Sequence, residues 1–168
     1  METIPADPAP QPRAIDSRAA FVAGLQQSLS SALTHRARAM FWVDADFADW
    51  PLDDALWLQQ LVDWLRLPQR RLVLLAAEPE ALRLRSRFMA CYGLWTHAIG
   101  VQATAAEDIP GLPCLLLAER TVGLQVQDKR HWRGELSVEP ARLREWSERV
   151  DGLLQRSEPA LPFTILGL

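Results

Sequence analysis

The stretch A-M-F-W-V-D-A-D-F-A-D-W (39–50) decides the fold. Its first five residues are short, apolar and β-prone, and carboxylates follow them at once, which reads as a buried strand. Asp44 and Asp46 end that strand and satisfy the backbone of the turn. Asp49, followed by Trp50-Pro51, reads as a helix start, because Asp caps and Pro suits the first turn. The helix runs to about Leu67, where Pro68 stops it. Upstream, Phe21, Leu25, Leu29 and Leu33 recur every fourth residue behind a capping Ser17, which predicts a helix to about Thr34. Downstream, R-L-V-L-L-A-A (71–77) reads as a second strand, Glu80 to Trp95 as a third helix and I-G-V-Q-A-T (99–104) as a third strand. After a loop at 107–113, C-L-L-L-A (114–118) and V-G-L-Q-V (122–126) flank Glu119-Arg120-Thr121 as a hairpin. The string H-W-R-G-E-L-S (131–137) predicts an edge strand. A last helix begins near Glu139-Pro140 and puts Leu143, Trp146, Val150 and Leu154 on one face. Strands alternating with helices imply parallel pairing with right-handed crossovers. The expected class is α/β, with a mixed, mostly parallel sheet flanked by helices.

A chain of 168 residues makes about one domain. Residues 1–14, with Pro5, Pro8, Pro10 and Pro12, are expected to be a disordered tail, 15–158 the α/β domain, and 159–168 an apolar C-terminal extension. The net charge of −3 argues against a general nucleic-acid binder. Lys129 is the only lysine, and with abundant Ala, Leu and Trp this suggests the coding bias of a GC-rich bacterium. Cys91 and Cys114 sit in apolar runs and read as buried free thiols in a reducing compartment. No leader opens the chain and no apolar run approaches the roughly 18 residues of a membrane span, so a cytoplasmic protein is expected.

A D-x-D after a strand can serve an aspartyl phosphatase or a nucleotide-sugar transferase. The first also needs late carboxylates for Mg²⁺ and a lysine for the phosphoryl group, and the second needs a donor-binding partner domain. No Gly-rich phosphate loop, zinc-spaced Cys pair or serine elbow occurs, so no cofactor or metal is expected. His35, His97 and His131 fall in three different segments, although His131 could meet a carboxylate. Arg83, Arg85 and Arg87 partly share a helix face, with Arg66, Arg70 and Arg71 nearby in sequence, and are candidates for anion binding. Trp57, Leu61 and Trp64 belong to a stripe wider than one core-facing helix needs, which makes them interface candidates.

The order of segments resembles one half of the phospholipase D-like (HKD) superfamily. The strings carrying the likeness are A-R-A-M-F-W-V (37–43), R-L-V-L-L, the late hairpin and the closing R-L-R-E-W-S-E-R-V-D-G-L-L-Q-R-S (142–157). Active members carry H-x-K-x-x-x-x-D on that hairpin. Here the histidine falls on Leu112, the lysine on Cys114 and the aspartate on Glu119. Leucine cannot attack phosphorus, and a neutral thiol cannot replace an ammonium. The resemblance therefore implies a catalytically silent domain whose vestigial site holds Asp44, Asp46, Leu112, Cys114 and Glu119. It implies a binding or scaffolding module, as a homodimer or with an unidentified protein partner. The alternative is a metal- or phosphate-dependent hydrolase using Asp44, Asp46 and Glu119.

Overall fold

The computed structural model describes residues 11–162. Most of the expected N-terminal tail and of the C-terminal extension therefore lies outside the described residues. Within them, strands β1 (Arg13–Ile15), β2 (Ala39–Asp44), β3 (Arg71–Ala76), β4 (Ile99–Ala103), β5 (Cys114–Ala118), β6 (Val122–Asp128), β7 (Arg133–Ser137) and β8 (Glu158–Pro159) form one sheet. Helices α1 (Arg18–Thr34), α2 (Ala55–Leu65), α3 (Ser86–Leu94) and α4 (Pro140–Gln155) pack on it. The expected strands at 39, 71, 99, 114 and 122 are all present.

The sheet is eight-stranded in the order β1-β7-β6-β5-β2-β3-β4-β8. Only β2–β3 and β3–β4 pair in parallel, and every other neighbour is antiparallel. The sheet is mixed, as the sequence suggests, but mostly antiparallel rather than mostly parallel. Helical crossovers enforce parallel pairing only between β2 and β4. After β4 the chain returns to the far side of β2, and the tight turns β5–β6 and β6–β7 then dictate antiparallel neighbours. Strand β7 is not an edge, because β1 pairs with it, with Ile15 opposite Gly134.

Alternation along the strands divides the core into two layers. Met40, Trp42, Leu72, Leu74, Leu116 and Leu124 face α1, α2 and α3. Val43, Leu75, Leu115 and Leu117 face α4 through Leu143, Trp146 and Val150. Gly123 makes the second layer tight: a Cβ there would lie 2.5 Å from the Trp146 ring. Residues 46–54 depart from the expected helix start. Phe47, at φ 60, together with Trp50 and Leu52, is buried in the first layer, which holds this segment as a packed turn. Helix α2 starts later, where Asp54 Oδ1 accepts from the N–H groups of Leu56 and Trp57 at 2.9 and 3.0 Å. The expected third helix is broken at Arg85 into a 3-10 helix (Pro79–Leu84) and α3. Arg85 leaves the helical region and its guanidinium donates to the carbonyls of Phe47 and Ala48, which ties the packed turn down.

Trp57, Leu61 and Trp64 are 3%, 0% and 0% exposed. The wide apolar stripe of α2 is core, and these residues offer no surface to a second subunit. Trp64 Nε1 also donates to the carbonyl of Ala37 at 2.7 Å, fixing the entry to β2. Trp64→Phe should lower the unfolding free energy by about 1–3 kcal/mol, because a buried carbonyl loses its donor. A urea midpoint unchanged from wild type would refute that role.

Candidate functional site

Charged residues collect at both ends of the central strands, and the two ends differ in kind. At the carboxyl ends of β2 and β6, the Asp44 side chain is almost wholly buried, and Lys129 Nζ lies 2.9 and 2.8 Å from its two oxygens. Trp50 Nε1 donates to Asp44 Oδ2 at 3.1 Å. Asp49 Oδ2 stands 3.6 Å from the same ammonium, and Asp49 Oδ1 accepts from Arg18 Nε at 3.1 Å. The turn after β6 presents the lysine. Asp128 Oδ1 accepts from the N–H groups of Arg130 and His131 at 2.9 and 3.2 Å, and its other oxygen meets His131 Nδ1 at 2.7 Å. The bond to His131 is the main reason the Asp128 carboxyl is held below its usual range.

Burial works against the charged form of Lys129, but the bond to Asp44 and its charge outweigh that cost, so its pKa rises above the ordinary lysine value. Cys114 is the neighbour of this centre. Burial, followed by the charge of Asp44, pushes its thiol far up, which makes it neutral and a poor nucleophile. An ammonium fixed between two carboxylates, one of them sealed by an indole, joins β2, the packed turn and the β6–β7 turn. No group of three or more His, Cys, Asp or Glu among the described residues could hold a metal ion.

Of the residues expected to share a vestigial cleft, Asp44 and Cys114 are neighbours, but Asp46, Leu112 and Glu119 do not join them. Asp46 accepts from the Ala48 N–H at 3.0 Å, serving the turn as expected. Asp49 pairs with Arg18 and Lys129 instead of capping α2. Leu112 packs on the α4 side of the sheet, away from Cys114 and Asp44. Glu119 donates its N–H to the carbonyl of Ala39, the opposite end of β2 from Asp44. At roughly 3.3 Å per residue that is about 16 Å away. A hydrolase centre of Asp44, Asp46 and Glu119 is geometrically excluded. Two of the three arginines of the expected anion site are engaged. Arg83 pairs with Glu80 at 2.6 Å and Arg85 reaches Asp53 at 3.9 Å, whereas Arg87 is exposed and only its backbone N–H donates to Asp53, at 3.2 Å.

The amino ends of β2 and β3 and the β5–β6 turn carry a different cluster. An open cavity of about 550 Å³ is lined by His35, Arg36, Arg38, Glu119, Arg120 and Thr121, among others. Arg70 sits beside it, donating to the carbonyls of Pro68 and Arg36, and Arg71 begins β3 opposite Ala39. Among the described residues, Arg36, Arg38, Arg71 and Arg120 are exposed and form no ion pair. Burial and then the charges of Arg36 and Arg38 lower the pKa of Arg70. Its Nε is screened from solvent with no hydrogen-bond partner among the described residues. Arg36, Gln69 and Arg120, at φ 55, 57 and 59, hold the three surrounding turns in the left-handed region. Sequence reasoning names Asp44, Arg70 and Arg71 but gives them other partners, so it assembles neither cluster. The signals were the lone lysine, and the strings H-R-A-R (35–38), Q-R-R (69–71) and E-R-T (119–121), each at a strand start or hairpin turn.

The class is thus a single mixed α/β domain with a buried ion centre at one end of its sheet and an open arginine cluster at the other. No family model matches the chain, and no curated protein does. A solved structure that it resembles is TrmBL2, "an archaeal chromatin protein" with "a novel mode of DNA binding". The TM-score is 0.62 and the identity 8%, over 94% of this chain and 56% of that one. The chain therefore spans little more than half of that neighbour, and the likeness is one of fold.

This finding overturns the likeness to a phospholipase D-like half, and with it the idea of a silenced member of that superfamily. The shared order of segments was too generic to separate the two folds. A bacterial source, read from scarce lysine with abundant Ala, Leu and Trp, likewise finds no support, the neighbour being an archaeal protein. Nor does the net charge speak against nucleic acid, because it does not report how charge is distributed, and the neighbour is a chromatin protein that binds DNA. No helix among the described residues is long and apolar enough to cross a membrane.

Proposed function

We propose that the chain is a non-catalytic binding module whose ligand face is the arginine-lined end of the sheet, and that this face holds nucleic-acid backbone. The observation carrying the proposal is that Arg36, Arg38 and Arg120, without ion-pair partners among the described residues, line one cavity beside the half-buried Arg70. Like charges held this close repel, and after burial that repulsion is what lowers the pKa of Arg70. An anion seated among them would relieve it. Non-glycine residues in left-handed turns cost roughly 1–3 kcal/mol each, and such strain gathers where a site must be held in shape. A guanidinium also offers forked donors suited to phosphate oxygens. The fold shared with a DNA-binding chromatin protein agrees with this reading.

Fluorescence anisotropy with a short labelled duplex tests the proposal. Affinity should fall linearly with the logarithm of salt concentration. Arg36→Ala with Arg120→Ala should flatten that slope by about 0.9 for each phosphate no longer neutralised. A duplex that does not bind even at low salt, or that binds the double variant as tightly as wild type, would remove the proposal.

A further inference from the structure

A second cavity, of about 560 Å³, lies on the other side of Glu119 and Arg120. These two residues also line the arginine cavity, so they form a wall common to both. The second cavity differs in chemistry. Leu117 and Leu143 make an apolar floor, and Arg144 and Ser147 from the first turns of α4 line its α4 side. Arg144 forms no ion pair among the described residues, and neither does Glu119.

A cavity of this size that joins an apolar floor to a few polar side chains is the usual form of a small-molecule site. Here it adjoins the arginine-lined cavity. We infer, resting on the reading above, that this cavity receives one unstacked base of a single-stranded nucleic acid whose backbone lies along the arginines. The Glu119 carboxylate is poorly placed for a phosphate binder, since it repels the backbone. It is well placed to accept hydrogen bonds from the exocyclic amine of a base, as carboxylates do from cytosine N4. The Arg144 guanidinium supplies a planar cation on which a base can stack. A duplex keeps its bases stacked and paired, so it would use the arginines alone. The module therefore prefers single strands, and among them bases that carry an amine.

The test compares labelled oligo(dC), oligo(dT) and a duplex of the same length by anisotropy at one salt concentration. Oligo(dC) should bind roughly tenfold more tightly than the duplex, the value of one stacked and hydrogen-bonded base. The order runs against charge density, which is higher on the duplex. Glu119→Leu, on an exposed turn, should abolish the preference for oligo(dC) over oligo(dT). Ser147→Trp should fill the cavity and bring oligo(dC) down to the duplex value, with a melting curve confirming that the variant is folded. Equal, salt-dependent binding of single strands and duplex would overturn the base cavity and leave the arginine face standing. Binding of neither would overturn both.

Discussion

Replacing Lys129 with methionine is expected to lower the unfolding free energy by about 2–3 kcal/mol. Removing one partner of a buried ion pair typically costs about 3–5 kcal/mol, because the other charge stays buried and uncompensated. The lower figure applies here because the Lys129 side chain is 33% exposed while that of Asp44 is 3% exposed, so water reaches one partner and not the other. Methionine keeps the apolar stem, so the loss reports the ammonium. Arginine should not restore the wild-type value, since a planar fork cannot occupy the point between Asp44 and Asp49. Adding Asp44→Asn to Lys129→Met should recover part of the loss by removing the stranded charge. The pH dependence has a definite sign. The Lys129 pKa is raised in the folded state, so its contribution is fully present below the ordinary lysine value of about 10.4. It fades only as pH climbs through the higher folded value. The gap between wild type and variant should therefore stay constant through neutral pH and narrow in strongly alkaline solution. Urea midpoints measured over that range decide the matter. A variant within about 0.5 kcal/mol of wild type, the scatter of ordinary surface substitutions, would show that the centre contributes nothing.

How far the sequence could be read followed the range of the interactions involved. The run Ala39 to Val43 announced β2, and Glu119-Arg120-Thr121 announced the hairpin, because each is set by neighbours in the chain. The start of α2 was misplaced because Asp49-Trp50-Pro51 has the local chemistry of a helix start, whereas burial of Phe47, Trp50 and Leu52 overrides it. The direction of the outer strands was not legible. A strand's own residues do not encode its neighbour, and β5 lies against β2 only because the chain doubles back after β4. The site was the least legible part. Asp44 and Lys129 are 85 residues apart, and nothing in either local string points to the other. The arginine face is assembled from three short strings that only the register of β2, β3 and β5 brings to one end. The tryptophans of α2 illustrate the converse. Their spacing was visible, but whether they faced a core or a partner depended on how many layers cover the sheet.

Gly134→Ala should cost about 3 kcal/mol, the upper end of ordinary overpacking. A Cβ at that position would stand 2.2 Å from the Gln125 carbonyl oxygen and 2.8 Å from Val126 Cα. Both are backbone atoms of β6, so no rotamer change relieves the clash and β7 must move away as a strand. The β6–β7 register already shifts between Val126 and Asp128, beside the same close approach. Two consequences follow from the topology. Strand β1 pairs only with β7, through Ile15 opposite Gly134, so the edge of the sheet should loosen and its amide protons should exchange faster than those of β2 and β3. The turn carrying Lys129 connects β6 to β7, so displacing β7 should also weaken the hold of the ammonium on Asp44. Gly134→Ala and Lys129→Met should then be less than additive, because the first substitution already removes part of what the second removes. Denaturation of the two single variants and the double variant measures this directly. Strict additivity would mean that the ion centre keeps its geometry independently of the strand that follows it.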